Sequence, residues 1–201
     1  MIYIYLADGF EEIEAVAPID LLRRAEKKVI TVGVGDNIIT GSHGISIVTD
    51  TIAQEAVLND ELEMIILPGG MPGTLNLEKS RYVQNAIDYC VENNIYIGAI
   101  CAAPSILGHK GLLKGKKAVC YEGFETQLEG AKILKESVAE DDIFITARGA
   151  GAAIDFGLKL VEKVVSKSES DRQCAAVLYE KNGTKSVEDG CYLLFYGNKW
   201  C

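Results

Sequence analysis

The sequence predicts an α/β fold in which helices cover both faces of a mostly parallel sheet, giving three layers. The first observation is a set of short, almost continuously apolar runs, beginning with residues 2–7, which is typical of strands buried on both faces. The second is that segments with helical spacing of apolar residues separate these runs, which favours parallel strands. The third is composition: 201 residues, 48% hydrophobic and 24% charged, are ordinary for one globular domain.

The predicted elements follow one another in a regular order. Strands are predicted at residues 2–7, 28–35, 63–70, 95–100, 116–120 and 142–147, with short strands within 38–51. Helices are predicted at residues 11–26 and 80–93, from Cys101 to about Leu107, and at 150–166. Pro18 lies inside the first helical pattern, so that helix either begins near the proline or is kinked there.

Charge and hydropathy exclude several classes of function. A net charge of −9 without a basic stripe argues against a nucleic-acid partner, because phosphate contacts need a basic face. No apolar stretch approaches the roughly 20 residues that span a bilayer. The apolar N-terminal run is short, lacks a basic start and turns acidic, so it is not a signal peptide. We therefore expect a cytoplasmic protein without a membrane partner.

The six cysteines form no CxxC pair, so no metal site is expected, and in a reducing compartment they should be free thiols. Phosphate-binding signatures are also incomplete. The glycines at 69–70 are not followed by Gly-Lys-Ser/Thr, and residues 32–37 offer GxG without a third glycine. The sequence therefore indicates no nucleotide cofactor.

Three loops are expected to form the functional site. In parallel α/β sheets the site lies beyond the carboxyl ends of the strands, near the point where the strand order reverses. The loops that follow the first, third and fourth main strands are 8–14 (DGFEEIE), 68–73 (PGGMPG) and 101–105 (CAAPS). Each of them carries residues that suit chemistry on a small molecule.

Cys101 stands at the corner between a strand and a helix. The N–H groups at a helix N-terminus favour a thiolate, which would lower the thiol pKa from its reference of about 8.5. The sharp turn would also lift the sulfur out of the sheet, as a nucleophile elbow does. The alternative is a small buried apolar residue, since free cysteines are commonly buried. The local sequence does not separate these two interpretations.

The other two loops offer complementary groups. Gly69 and Gly70 let the backbone approach a ligand and point N–H groups at an oxyanion, although Pro-Gly-Gly also simply ends a strand. Glu11, Glu12 and Glu14 fall in the first turn of a helix, where acidic residues suit the dipole. If one of them faces inward, burial would favour its protonated form, and it would titrate together with the thiolate.

Four motifs together resemble the ThiJ/PfpI superfamily. Within it, the chain is most similar to the branch of the human parkinsonism-associated deglycase and its bacterial relatives. The match runs from residue 1 to about residue 179, in order and with similar spacing. The motifs are LADGFEEIEAVAPIDLLRRA (6–25), LPGG (67–70), AICAAPSIL (99–107) and TARGAGAAIDFGLKLVE (146–162).

The resemblance implies a flavodoxin-like, glutamine-amidotransferase-like domain over residues 1–179, which is usually a homodimer. Residues 180–201 form a C-terminal extension of unknown role, in which 191–196 suggests a strand. The reactive cysteine of the family matches Cys101, and its partner glutamate matches Glu14.

The remaining site residues also follow from the resemblance. The backbone donors match Gly70 and Ala102, with Gly69 beside them, and an arginine near the site matches Arg148. Tyr121 takes the place of a histidine in the human branch member, so we expect it to line the site. A histidine base is then absent at that position, which leaves Glu14 as the main proton carrier.

The activities that the resemblance implies are cofactor-free conversion of methylglyoxal to lactate, as in glyoxalase III, and removal of early glycation adducts. The expected substrates are thus small aldehydes or glycated compounds. A second hypothesis is a redox sensor or chaperone that acts through oxidation of Cys101 in oxidative stress. The two hypotheses use the same residues, so the sequence does not choose between them.

Departures from the family pattern disfavour an amidase or protease. Protease-like members have a histidine directly after the cysteine, where this chain has Ala102. The chain's two histidines, His43 and His109, lie outside the three loops and are interpreted as surface or capping residues. Cys120 is a hypothetical resolving thiol for oxidised Cys101, and the alternative is a buried cysteine at a strand end.

Overall fold

The computed structural model describes residues 1–180. Its strands, in chain order, are β1 (Ile2–Leu6), β2 (Val29–Gly33), β3 (Ile38–Thr40), β4 (Ser46–Val48), β5 (Thr51–Ile52), β6 (Met64–Leu67), β7 (Tyr96–Ile100), β8 (Lys117–Ala118), β9 (Lys132–Ile133), β10 (Val138–Asp141) and β11 (Phe144–Ala147). Its α-helices are α1 (Glu12–Arg24), α2 (Gly73–Lys79), α3 (Arg81–Glu92), α4 (Pro104–His109), α5 (Ala153–Val164) and α6 (Lys167–Ala176). The predicted strand at 191–196 lies outside the described residues.

The central sheet has seven strands in the order β10-β11-β7-β6-β1-β2-β5. Its pairs are parallel, except that β10 runs antiparallel to β11. The order reverses between β1 and β6, because β1 pairs with β2 on one side and with β6 on the other. The predicted mostly parallel sheet is thus confirmed, and the site is expected beyond the carboxyl ends of β1 and β6.

Two hydrophobic layers cover the sheet, one on each face. Alternate residues of the fully buried strand β1 enter different layers, since side chains of a strand point to opposite faces. Tyr3 and Tyr5 pack in the layer that contains residues of α3 and α4. Ile2 and Ile4 pack in the layer that contains residues of α1 and α5. This arrangement confirms the three-layer sandwich.

The first helix begins at Glu12, with Pro18 in its interior. The alternative in which the helix begins near the proline is therefore wrong. An early start matters for the site, because it places Glu12 and Glu14 in the first turn.

The predicted strand at 116–120 is only partly right. Its ordered part, β8, has two residues and pairs with β9 in a separate small sheet. The backbone of the segment 117–119 donates hydrogen bonds to side chains of β10 and β11, and these bonds replace a longer run of strand pairing. Lys117 N donates to Asp141 Oδ2 at 2.9 Å, and Val119 N donates to Thr146 Oγ1 at 3.0 Å. No helix in the described part of the chain is long and apolar enough to cross a bilayer.

Candidate active site

Cys101 sits in a strained turn directly after β7. Its φ is +64°, a left-handed conformation that L residues other than glycine rarely adopt. Hydrogen bonds on both sides fix the turn: Cys101 N donates to Ala147 O, and Tyr121 N donates to Cys101 O, each at 2.8 Å. Such strain persists only where the surroundings impose it, and it is concentrated at functional sites. The turn has the geometry of the predicted nucleophile elbow.

Two backbone N–H groups point at the Cys101 sulfur. The donors are Gly70 and Ala102, the two residues to which the family resemblance points, and their hydrogen bonds lower the thiol pKa. Burial, the negative charge of Glu14 and the hydrogen bond with Glu14 outweigh them and raise this pKa to about 12. The expected depression of the thiol pKa is therefore wrong as long as Glu14 is ionised, because two negative charges would then share one buried site.

Glu14 is fully buried beside this thiol. Its Oε2 accepts a hydrogen bond from Gly69 N at 2.9 Å. Oε1 is also buried and has no well-aligned hydrogen-bond partner among the described residues. Burial raises the pKa of this carboxyl to about 7, against the lowering effects of Cys101 and Gly69, and the charge of Glu11 adds to the increase. The inward-facing glutamate that the sequence predicts is thus Glu14.

Cys101 and Glu14 form a coupled pair that holds one negative charge near neutral pH. When Glu14 is ionised, the thiol is neutral, and the carboxylate is placed to accept the thiol proton. When the proton resides on Glu14, the charge that opposes a thiolate disappears, while the donors at Gly70 and Ala102 remain. The arrangement can therefore generate a nucleophilic sulfur by moving one proton over a short path.

The two glycines of the second loop allow this close approach. A Cβ atom at Gly69 would lie 2.6 Å from Cys101 Cβ and 2.7 Å from Glu14 Oε2. Gly70 has φ +88°, and a Cβ atom there would lie 2.4 Å from Glu11 N. Since real Cβ atoms do not come so close to their neighbours, only glycine fits at either position. The loop thereby presents its N–H groups to both buried side chains.

Tyr121 stands at the mouth of the site and is half exposed. A Cβ atom on Gly149 would lie 3.3 Å from Tyr121 Cδ2 and 3.9 Å from Glu14 Oε1, so the ring and the carboxyl flank the same glycine. Arg148, the preceding residue, is exposed, and its side chain forms no ion pair with the described residues. Both residues therefore lie near the site, but neither is held against Cys101 as Glu14 is.

The remaining candidates lie elsewhere. His109 bonds to Glu78 at 2.5 Å and to Gln127 at 2.6 Å, and His43 bonds to Glu12. The four described cysteines are free thiols. Cys120 packs in the layer of α3 and α4, whereas Cys101 packs against the layer of α1 and α5. Cys120 is also buried, and its burial favours a packing role over a resolving thiol.

Sequence reasoning missed the anchors of the elbow, which are the Ala147 carbonyl and the Tyr121 N–H. No side-chain pattern signals such backbone bonds. Two open surface cavities, of about 420 and 410 Å³, are lined by residues within 108–129 and 35–55. Neither of these two cavities is lined by Cys101 or Glu14.

The chain is similar to known proteins over most of the residues that the structure describes. The family described as "DJ-1/PfpI family" matches residues 1–163. Protein DJ-1 homolog B of Arabidopsis thaliana is 35% identical over 88% of this chain, which spans only 41% of that protein. The glutathione-independent glyoxalase DJ-1 of Schizosaccharomyces pombe is 32% identical over 83% of this chain and 92% of its own length. The structure of oxidised Toxoplasma gondii DJ-1 has a TM-score of 0.82 and 32% identity, covering 90% of this chain and 98% of that one.

Proposed function

The chain belongs to the DJ-1/PfpI family, and we propose that it is a cysteine-dependent enzyme that converts small reactive aldehydes to hydroxy acids. The main expected reaction is the conversion of methylglyoxal to lactate. The observation that carries the proposal is the strained Cys101, which lies between two N–H donors and against a buried glutamate. The S. pombe relative, whose name describes a glyoxalase that needs no glutathione, supports the same reaction. Early glycation adducts, which carry the same aldehyde-derived carbons, are the second substrate class.

The reaction begins when ionised Glu14 takes the proton of the Cys101 thiol. The sulfur attacks the aldehyde carbon, and the resulting oxyanion accepts hydrogen bonds from Gly70 and Ala102 N–H. Protonation of this oxygen gives a hemithioacetal. Every group in this step is already in place around the sulfur.

The second stage moves a proton between two carbons. Glu14 removes the proton from the former aldehyde carbon, giving an enediol, and returns a proton to the neighbouring carbon. The product is a thioester of the hydroxy acid on Cys101. Water then cleaves the carbon–sulfur bond, which releases lactate and restores the thiol. Methylglyoxal and one water molecule thus give one lactate, without net oxidation.

A second candidate function is a redox sensor in which Cys101 is oxidised to sulfinic acid. The supporting observation is Glu14, whose pKa of about 7 lets it donate a hydrogen bond to an oxidised sulfur. The Toxoplasma gondii relative, described as oxidised, is in keeping with this. A sensor needs no turnover, and this difference separates the two functions.

The deciding experiment uses purified, fully reduced protein and a series of α-oxoaldehydes and simple aldehydes. The enzyme proposal predicts steady-state formation of lactate from methylglyoxal over many turnovers. Negligible turnover with every aldehyde would refute the proposed enzymatic function. Titration with peroxide, followed by mass spectrometry of Cys101, would then test the sensor.

We also propose a cytoplasmic homodimer. Support for the location comes from the four described cysteines, which are all unpaired thiols.

Support for the dimer comes from an apolar surface on α1 and the β3–β4 hairpin. The exposed side chains of this surface are Ile13, Val16, Ile38, Ile45 and Val48. Surfaces of this kind mark sites of protein association.

A further inference from the structure

A cluster of metal-ligating side chains lies beside the active site, where the hairpin between β3 and β4 packs on the start of α1. It consists of Glu11, Glu12, Ser42 and His43, and we call it the Glu-Glu-His cluster. The ligand atoms of Glu11, Glu12 and His43 all lie within 4.8 Å of one another. None of the four residues carries out a chemical step in the proposed reaction, although the charge of Glu11 raises the pKa of Glu14.

Five of the six distances among the atoms of the cluster are close to those of a tetrahedral site, and the Glu11 and Glu12 oxygens lie within 4.8 Å of each other. His43 Nδ1 is 2.9 Å from Glu12 Oε2 and 3.3 Å from Glu11 Oε2. Ser42 Oγ is 3.2 Å from Glu11 Oε2, 3.5 Å from Glu12 Oε2 and 3.2 Å from His43 Nδ1. In a tetrahedral zinc site with bonds of about 2.0–2.1 Å, ligand atoms lie roughly 3.3 Å apart. An ion could therefore contact Ser42 and His43 together with either carboxylate with little movement of these side chains, and a small adjustment of Glu11 would bring in the second carboxylate.

The charge of the cluster favours a cation. It holds two carboxylates, and no lysine or arginine forms an ion pair with Glu11 or Glu12 within residues 1–180. If His43 is protonated, the two carboxylates still give the cluster a net charge of −1. The carboxylate of Glu12 is also almost completely buried. A buried charge of this kind needs a partner, and a divalent cation supplies more charge than the imidazole does.

The surroundings also orient the ligands. Glu12 Oε1 accepts a hydrogen bond from His43 N at 2.8 Å, with Ile45 N at 3.4 Å, so Oε2 is the oxygen that faces the cluster. Outer-sphere hydrogen bonds to a ligating carboxylate are a regular feature of metal sites. The hairpin is thereby prepared to bring His43 to α1 in a fixed orientation.

We propose that Glu11, Glu12 and His43 bind one divalent metal ion of the zinc class, with the Ser42 hydroxyl or a water molecule at the fourth position. Imidazole and carboxylate ligands suit zinc and its neighbours in the first transition series. The bound ion would clamp the β3–β4 hairpin onto the first turn of α1. The absence of CxxC pairs argued against zinc in the sequence, but this cluster contains no cysteine and is assembled only by folding.

Cobalt(II) is the probe of choice, because tetrahedral cobalt absorbs visible light and thiolate ligands add a separate charge-transfer band. We expect the chelator-treated full chain to bind one equivalent with d–d absorption and no thiolate band. His43→Ala should weaken this binding at least tenfold. The matched control is His109→Ala, which removes the chain's only other histidine and should bind as the wild type does.

Thermal unfolding gives a second readout. Zinc should raise the Tm of the wild type and of His109→Ala but not of His43→Ala, because binding to the folded state stabilises it. Glu11→Gln, which keeps the size of the side chain, should also lose the zinc effect while its metal-free Tm stays near that of the wild type. No cobalt binding, or cobalt binding that shows thiolate bands and survives His43→Ala, would overturn the proposal.

Discussion

At the active site the half-buried thiol of Cys101 and the buried carboxyl of Glu14 share one proton. The pKa of Glu14 is about 7, and the thiol pKa is raised while Glu14 is ionised. A carboxyl with a pKa near 7 changes its protonation state readily near neutral pH, which suits a side chain that acts as base and then as acid. Since the chain has no histidine in the site, the pH dependence of the reaction should report on this pair.

The first prediction concerns the pH profile of the rate. The base form of Glu14 starts the reaction, so kcat/KM, which reports the pKa values of the free enzyme, should rise with pH through about 7. Glu14→Gln should lower kcat by about 10²-fold or more and remove this limb. Glu11→Gln, measured in chelator, should keep the limb but move it to lower pH, because the charge of Glu11 raises the pKa of Glu14. An unchanged limb in Glu14→Gln would assign it to another group.

The second prediction concerns stability. Because the pKa of Glu14 is raised from 4.5 to about 7 on folding, the folded protein holds this proton more tightly. Its stabilising contribution is complete below about pH 4.5 and is lost as the pH rises to about 7. Between pH 4.5 and pH 8 the wild type should therefore lose up to about 3 kcal/mol of its free energy of unfolding through Glu14. Glu14→Gln lacks this titrating group and should not show that loss. Urea denaturation of both proteins at both pH values measures the free energies of unfolding. The same change between pH 4.5 and pH 8 in the wild type and in Glu14→Gln would contradict the raised pKa.

At the scale of elements, three loops converge because parallel strands end at one edge of the sheet. The second loop is the tightest, since its glycines touch both other loops. Gly70→Ala should lower the free energy of unfolding by about 2 kcal/mol or more and should also lower kcat/KM. The reasons are the strain of an alanine at positive φ and the clash of its Cβ atom with Glu11 N. The matched control is Gly111→Ala, where φ is +71° but no atom lies within 4 Å of the new Cβ. Similar losses of activity in both variants would contradict the steric explanation.

The sequence was most informative about elements with a strong apolar pattern. The buried strands, the helix with Cys90 on its inner face and the elbow after β7 follow from apolar spacing and strand ends. The helix α6 was missed, because its residues are largely polar and its start depends on Ser166, whose side chain accepts a hydrogen bond from Glu169 N. The contact of His43 with Glu12 joins residues 31 positions apart, and no local pattern shows it.

At the scale of the whole molecule, the proposed homodimer is expected to form through the apolar surface on α1 and the β3–β4 hairpin. Val16 is 48% exposed within it. Val16→Glu should convert the homodimer to a monomer in light scattering, because a buried unpaired charge at an interface is strongly unfavourable. Val57→Glu is the control, since Val57 is 62% exposed and lies away from this surface. A dimeric Val16→Glu protein would place the interface elsewhere.

The central claim is that the Cys101 sulfur carries out the aldehyde chemistry. Its most direct test is the rate of lactate formation from methylglyoxal by Cys101→Ser beside Cys174→Ser, which changes another free, partly buried thiol. Cys101→Ser should lose activity by about 10³-fold or more, while Cys174→Ser should keep the wild-type rate. A Cys101→Ser protein with the wild-type rate would contradict the account.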